Sequence, residues 1–196
     1  MPYRIVTISR MFGSGGRTIG RELSERLGIP AYDKELIEMV AQESGLHPDY
    51  VAEHGEHAPF KSHFAYAFIG SSQVSLSNEH ILWEAQCRVI RDIADKGPCV
   101  IIGRCADYLL RDREDALHVF ICADTAFRAH RIVHLYGETD VRPERRLDEK
   151  DQKRRVNYDH FTGRRWGDPD HYHMVLNSGR LGVERCVDLI EQVYRS

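Results

Sequence analysis

Four short apolar runs stand out along the chain, at residues 5–8, 30–32, 99–102 and 117–122, with a weaker fifth at 174–176. Runs this short and continuous mark strands covered on both faces, since a strand with one wet face would alternate apolar with polar residues. Between them apolar residues recur at three- and four-residue spacing, first Ile19, Leu23 and Leu27, then Leu36, Ile37, Val40 and Ala41. That spacing puts them on one stripe of a helix. Strands alternating with helices need crossover connections, so the order predicts an α/β fold of three layers, α/β/α, around a mainly parallel five-stranded sheet. Gly28 and Gly97 follow helical stretches, where a left-handed C-terminal residue is expected. Residues 46–77 keep no clean period and read as an inserted helical lobe with a mobile loop; a long helical pattern then runs from about 78 to 96.

Composition narrows the function classes. The 196 residues fit one domain spanning 1–196, large enough to bury a core. At 42% hydrophobic and 29% charged, the chain has the balance of a globular protein rather than a disordered one. With 27 Lys and Arg against 30 Asp and Glu the net charge is −3, which argues against nucleic acid or an anionic membrane as partner. The five cysteines are odd in number and form no C-x-x-C pair, so they read as reduced thiols, with Cys99 and Cys122 as packing residues. No stretch approaches the roughly 20 apolar residues of a membrane span, and the first residues lack a signal peptide's apolar region. The expectation is a cytoplasmic protein. His54 and His57, and likewise His171 and His173, have spacings a metal could use but no Cys beside them, and read as polar loop residues. No residue pattern specifies an oligomeric state.

The richest segment is Ile8-Ser9-Arg10-Met11-Phe12-Gly13-Ser14-Gly15-Gly16-Arg17-Thr18-Ile19-Gly20, which follows a predicted strand and opens a predicted helix. Glycines there let successive N–H groups aim inward, and a helix start adds unpaired donors and a positive dipole end, so the turn suits phosphate. Against G-x-x-x-x-G-K-[ST] the match is residues 11–18, with the first glycine and the lysine both replaced. Gly13, Ser14, Gly15 and Gly16 would cradle phosphate, Arg17 would bridge its oxygens, and Thr18 would ligate magnesium. Arginine keeps the charge of lysine but presents a planar fork, so the phosphate geometry must differ. Two other readings stand beside this one. A glycine-rich turn can bind nothing, and Gly13-x-Gly15 also begins a dinucleotide fingerprint, with Asp33 about 20 residues on as a ribose-binding acid. The fingerprint fails at its sixth position, where Thr18 stands for glycine.

Three further blocks join that turn: Ile29-Pro30-x-Tyr32-Asp33-Lys34-Glu35-Leu36-Ile37, then Ile102-Gly103-Arg104-Cys105-Ala106-Asp107-Tyr108, then Phe161-Thr162-Gly163-x-x-Trp166-Gly167-Asp168 with residues 172–177 after it. Together they resemble the cytidylate kinase-like proteins among the P-loop nucleoside monophosphate kinases, over nearly the whole chain. The resemblance implies transfer of the γ-phosphoryl of ATP to CMP or dCMP with magnesium, an acceptor lobe near 34–96 and a lid near 140–170. It also implies Asp33 and Arg104 as acceptor-binding residues. Arg104 stands just beyond the third strand, where open parallel sheets place ligands, and a guanidinium can grip phosphate with two parallel hydrogen bonds. Asp33 equally suits an N-cap of the helix that follows. Between Arg142 and Arg165 there are nine Lys and Arg against five Asp and Glu. Arg146, Lys150 and Arg154 fall at four-residue spacing and would share one helix face. This face resembles the arginine-bearing lid of these kinases, and the three cations join Arg17 as candidate catalytic residues; a solvated charged face is the plainer alternative. Ile102 stands where the better-known cytidylate kinases carry an acidic residue, leaving Thr18 as the clear magnesium candidate. A non-catalytic nucleotide-binding protein on the same fold, and an NAD(P)-binding oxidoreductase, are the competing functions.

Overall fold

The computed structural model describes residues 3–55, 72–137 and 142–196, with 72–77 by backbone alone. The apolar runs become five strands: β1 (Ile5–Arg10), β2 (Ala31–Tyr32), β3 (Cys99–Ile102), β4 (Ala116–Cys122) and β5 (Met174–Asn177). They form one sheet in the order β2-β3-β1-β4-β5, and every neighbouring pair is parallel. β1 runs two residues past the apolar pattern because Ser9 and Arg10, though polar, are buried and stay paired with β4. In a dinucleotide fold the second strand lies beside the first. Here β3 separates them, so Asp33 at the end of β2 is a strand further from the glycine turn than that reading needs.

Successive residues of each strand serve opposite layers. Val6, Ile8, Val100, Ile102, Val119 and Ile121 pack under α1 (Gly16–Leu27) and α9 (Val183–Tyr194) through Ile19, Leu23, Val187 and Ile190. Ile5, Cys99, Ile101 and Ala116 face α2 (Glu35–Ser44), α3 (Pro48–His54) and α4 (Ser72–Lys96). Burying a residue such as Ile or Leu contributes about 1.5–3 kcal/mol, so this two-sided core fixes the sheet on which the loops sit. α4 begins at Ser72, six residues before the apolar pattern shows, and residues 56–71 of the predicted lobe lie outside the described residues. Gly28 takes the expected left-handed conformation at φ 66°, whereas Gly97 lies at φ 159°, an extended conformation.

The remaining helices are α5 (Ala106–Leu109), α6 (Thr125–Tyr136), α7 (Pro143–Thr162) and α8 (Ser178–Leu181), with a 3-10 turn at Pro169–His171. α7 buries Asp151, Asn157 and Thr162 along with Leu147 and Tyr158, so its inner face is mostly polar. Such a helix is placed by hydrogen bonds and ion pairs more than by an apolar stripe. Trp83 of α4 stacks on Phe161 of α7 at 4.5 Å between ring centres, tying the two at one end.

Candidate active site

The turn between β1 and α1 is built by local geometry. Gly13 and Gly15 sit at φ 76° and 84°, angles that side-chain-bearing residues rarely adopt. Ser14 folds back on Met11, donating from its N–H and its hydroxyl to the Met11 carbonyl at 3.3 and 2.8 Å. Ser178, opening α8, donates to the Ser14 carbonyl at 2.5 Å and holds the turn from the other side. The turn borders a cavity of about 280 Å³ lined by Gly13, Gly15, Gly16, Arg17, Arg10 and Arg154. Three arginines and a helix start around one hollow give it the positive lining that suits an anion.

Arg17 lines that cavity, and its Nε also lies 2.6 Å from Asp33 Oδ2, with Arg21 at 3.7 Å from the same oxygen. Asp33 is buried while Arg17 is half-exposed. The N-cap alternative for Asp33 fails: α2 is capped at Lys34 without a side-chain bond, and it is Glu35 that accepts the Asp33 N–H at 3.2 Å. Backbone N–H groups at the helix start, its own first, hold the Glu35 carboxyl below the ordinary range. Thr18 is exposed and accepts from Arg131 of α6 at 3.3 Å.

Arg104 follows β3 within Gly103-Arg104-Cys105, three consecutive residues at φ 78°, 57° and 56°. A non-glycine residue at positive φ is uncommon, and two in sequence store strain of a kind that collects at ligand sites. The strained turn swings the Arg104 guanidinium under α3, where it donates to the Val51 carbonyl and Gln86 Oε1, both at 3.4 Å, while Gln86 returns a bond to the Arg104 carbonyl at 3.1 Å. A second, narrower cavity of about 20 Å³ opens beside this turn, lined by Ser9, Arg10, Arg104, Arg154, Asn157 and Tyr158.

α7 turns the basic face of the sequence toward the glycine turn. Arg146, Lys150 and Arg154 are all partly buried; Lys150 Nζ lies 6.0 Å and the Arg154 guanidinium 5.7 Å from the Phe12 ring centre. Arg154 donates to the Arg10 carbonyl at 3.2 Å. The plainer reading of a solvated face therefore does not describe these side chains. Behind them Asp107 is buried and accepts from the Tyr158 hydroxyl at 2.6 Å; burial pushes its carboxyl up to about 6, and burial likewise pushes the Tyr158 and Tyr172 hydroxyls up.

The structure thus gathers Gly13, Gly15, Gly16, Arg17 and Arg154 at one cavity and brings Arg104 to its neighbour, with Asp33 reached through Arg17. Arg10 lines both cavities, the buried Arg128 bonds to the Phe12 carbonyl and Arg131 to the Thr18 hydroxyl, and none of the three had a role assigned from the sequence. Arg10 was hidden as the polar end of an apolar strand. Arg128 and Arg131, one helical turn apart on α6, lay outside the basic block at 142–165. His173, whose spacing from His171 once allowed a metal reading, stacks on His118 at 5.1 Å instead, and the described residues contain no group of three or more His, Cys, Asp or Glu able to hold a metal. Among the described residues no helix is long and apolar enough to cross a membrane.

The family model of the cytidylate kinase-like family matches residues 5–180. The chain belongs to this family. Among solved structures, an uncharacterized protein from Eubacterium ventriosum is similar over 98% of both chains, with 25% identity and a TM-score of 0.74. A shikimate kinase from Acinetobacter baumannii, solved with shikimate, matches 98% of this chain and 92% of its own, at 16% identity and a TM-score of 0.55. A shikimate kinase from Bacteroides thetaiotaomicron matches 96% of each chain, at 14% identity and a TM-score of 0.56. Curated proteins yielded no match. Family and neighbours agree on a kinase-type P-loop fold around the glycine turn.

Proposed function

We propose that the protein transfers the γ-phosphoryl of ATP to a nucleoside monophosphate, with CMP or dCMP as the acceptor favoured by its family. The observation that carries the reading is the pair of adjoining cavities at the carboxyl edge of the sheet, one against the glycine turn and one against Arg104, with Arg10 and Arg154 on the wall of both. Two phosphate-bearing substrates could meet across that wall. Donor phosphates would lie against Gly13 to Thr18, while Arg104, anchored beneath α3, would hold the acceptor phosphate with Asp33 beside it. Such transfers need no enzyme nucleophile, since positioning and charge stabilisation lower the barrier. Arg146, Lys150 and Arg154 would supply charge from a lid formed by α7 and exclude water.

Magnesium is the cofactor this chemistry implies. The exposed Thr18 hydroxyl at the start of α1 fits it as one oxygen ligand, because magnesium takes most of its ligands from phosphates and water. When bound, the ion would neutralise charge on the donor phosphates. Arg131, now bonded to Thr18, would then turn to the phosphates, which a guanidinium suits.

The ion pair of Arg17 with Asp33 favours a second reading, a nucleotide-binding protein without turnover, because the cation at the lysine position is already engaged. A coupled assay with ATP, magnesium and each nucleoside monophosphate separates the two. Turnover with a cytosine nucleotide is expected, and silence with every acceptor would sink the kinase proposal.

A further inference from the structure

The geometry points to Arg10 as the residue that contacts both phosphate groups of the reaction, bridging the transferring phosphoryl group and the acceptor phosphate. The assignment rests on the phosphotransferase reading above and adds to it a residue that a P-loop pattern does not include. Three observations lead there. First, Arg10 lines both cavities, the larger one at the glycine turn and the smaller one at Arg104. A side chain on a shared wall can reach groups on either side of it. Second, Arg10 closes β1, paired with Ile121 of β4, and its own carbonyl is held by Arg154, so its backbone is fixed at both neighbours. The residue itself is only 6% exposed, as a preorganised group in a water-poor site should be. Third, the turn is shaped around its side chain. A Cβ on Gly16 would fall 2.6 Å from Arg10 Cβ and 2.9 Å from Cγ, so glycine at the first position of α1 is what allows the arginine to cross over the helix start.

The position that carries lysine in a P-loop makes the need for such a residue concrete. Arg17 stands there, half-exposed, with its Nε on Asp33 toward the end of β2. Arg10 instead sits where donor and acceptor would meet. In the step itself an oxygen of the acceptor phosphate forms a bond to the γ-phosphorus as the bond from that phosphorus to the β-bridging oxygen breaks. The electron pair leaves with ADP, and a dianionic acceptor phosphate has no proton to give up. Negative charge on both sides of the transferred group must be brought together, and a planar fork with donors on two edges can hold an oxygen of each.

The test uses the full-length protein with Arg10→Met, Arg10→Lys and Arg10→Ala, each checked by thermal melting. In the assay with ATP, magnesium and CMP, Arg10→Met should lower kcat by about 10²- to 10³-fold, the loss seen when one preorganised donor is removed, with the KM for ATP raised by no more than about tenfold. Arg10→Lys should recover part of kcat, and added guanidinium ion should raise the turnover of Arg10→Ala at least about tenfold. A kcat within about threefold of wild type in Arg10→Met, or a loss that tracks a lowered melting temperature and ignores guanidinium, would overturn the assignment. Silence of the wild type with every monophosphate would instead fall on the phosphotransferase reading. Titration with inorganic tripolyphosphate then decides the role of Arg10 alone: binding weakened about tenfold in folded Arg10→Met upholds the contact, and equal binding overturns it.

Discussion

Asp151 of α7 accepts a 2.7 Å hydrogen bond from the backbone N–H of Phe12, and its other oxygen pairs with Arg128 of α6 at 2.6 Å. Arg128 in turn donates to the Phe12 carbonyl at 3.2 Å, so both polar groups of one residue in the glycine-rich loop are held by two different helices. The pair is almost fully buried, with side-chain exposures of 7% and 8%. A phosphate-binding loop needs a fixed backbone, because its N–H groups must already point at the ligand. Here that backbone is coupled to the basic helix above it.

Removing one partner of a buried pair leaves the other as an uncompensated charge, at a typical cost of about 3–5 kcal/mol. Asp151→Ala should therefore lower stability by that order in urea denaturation, and weaken ATP binding as Phe12 loses its anchor. Asp151→Ala combined with Arg128→Met should recover part of the stability, since the buried Arg128 charge goes with its partner while Arg154, 3.8 Å from Asp151, keeps its bond to the Arg10 carbonyl, and ATP binding should stay weak. If the double variant is no more stable than the single one, the ion pair is not what sets the loss.

His118 on β4 is buried, its Nδ1 shares a 2.8 Å hydrogen bond with the Thr7 hydroxyl, and His173 stacks on it. Burial, with a smaller contribution from His173, lowers its pKa from 6.5 to about 4. The unfolded chain thus binds this proton more readily than the folded one. Below about pH 6.5 each unit of acidification should remove stability, about 3 kcal/mol in all by pH 4. Denaturation across that range should show the slope in wild type and a shallower one in His118→Gln.

Asp107 carries the opposite sign. Its folded pKa is raised from 3.8 to about 6, so it favours the fold while protonated and loses that contribution as pH climbs from about 4 to 6. An amide can still accept from Tyr158 without carrying charge. Asp107→Asn should be more stable than wild type by up to about 3 kcal/mol at pH 8, and the two should converge below pH 4. Equal stability at pH 8 would mean that burial does not penalise the Asp107 carboxylate.

Which parts of this protein could be read from its sequence follows from the range of the forces involved. The central strands were visible because strands covered on both faces are mostly apolar, whereas the edge strand β5, with Val175 exposed, showed only weakly, and the turn at Gly13 to Thr18 was visible because backbone angles there demand glycine. What escaped was set by tertiary partners. The start of α4 carries Ser72, Ser75 and Ser77 rather than an apolar stripe, so no period announced it. Asp33 could have capped its own helix, and only the fold brings Arg17 and Arg21 to it. Arg128 looks like any surface cation of a helix until Asp151, 23 residues on, meets it. The basic spacing at 146, 150 and 154 was legible, whereas its direction toward Phe12 was not, because a helix with so few apolar residues does not declare which side faces in.

Arg17 and Arg104 make the last test, since the same substitution should act on them through different quantities. Arg17 is half-exposed but its partner Asp33 is buried, so Arg17→Ala leaves only Arg21, 3.7 Å away, facing that carboxylate and should lower the melting temperature moderately while the protein stays folded. If the cation serves the donor phosphates, kcat in the ATP and CMP assay should nonetheless fall by at least about a hundredfold. Arg104 is buried beneath α3 with bonds to Val51 and Gln86, and Arg104→Ala should lower the melting temperature clearly, as well as raise the KM for CMP more than it lowers kcat. Guanidinium side chains that grip a ground-state phosphate appear in KM, and those that act on the moving phosphoryl group appear in kcat. An Arg17→Ala variant with wild-type kcat would leave the arginine as the partner of Asp33 alone, and would shift the phosphate-binding role to Arg10, Arg131 and Arg154.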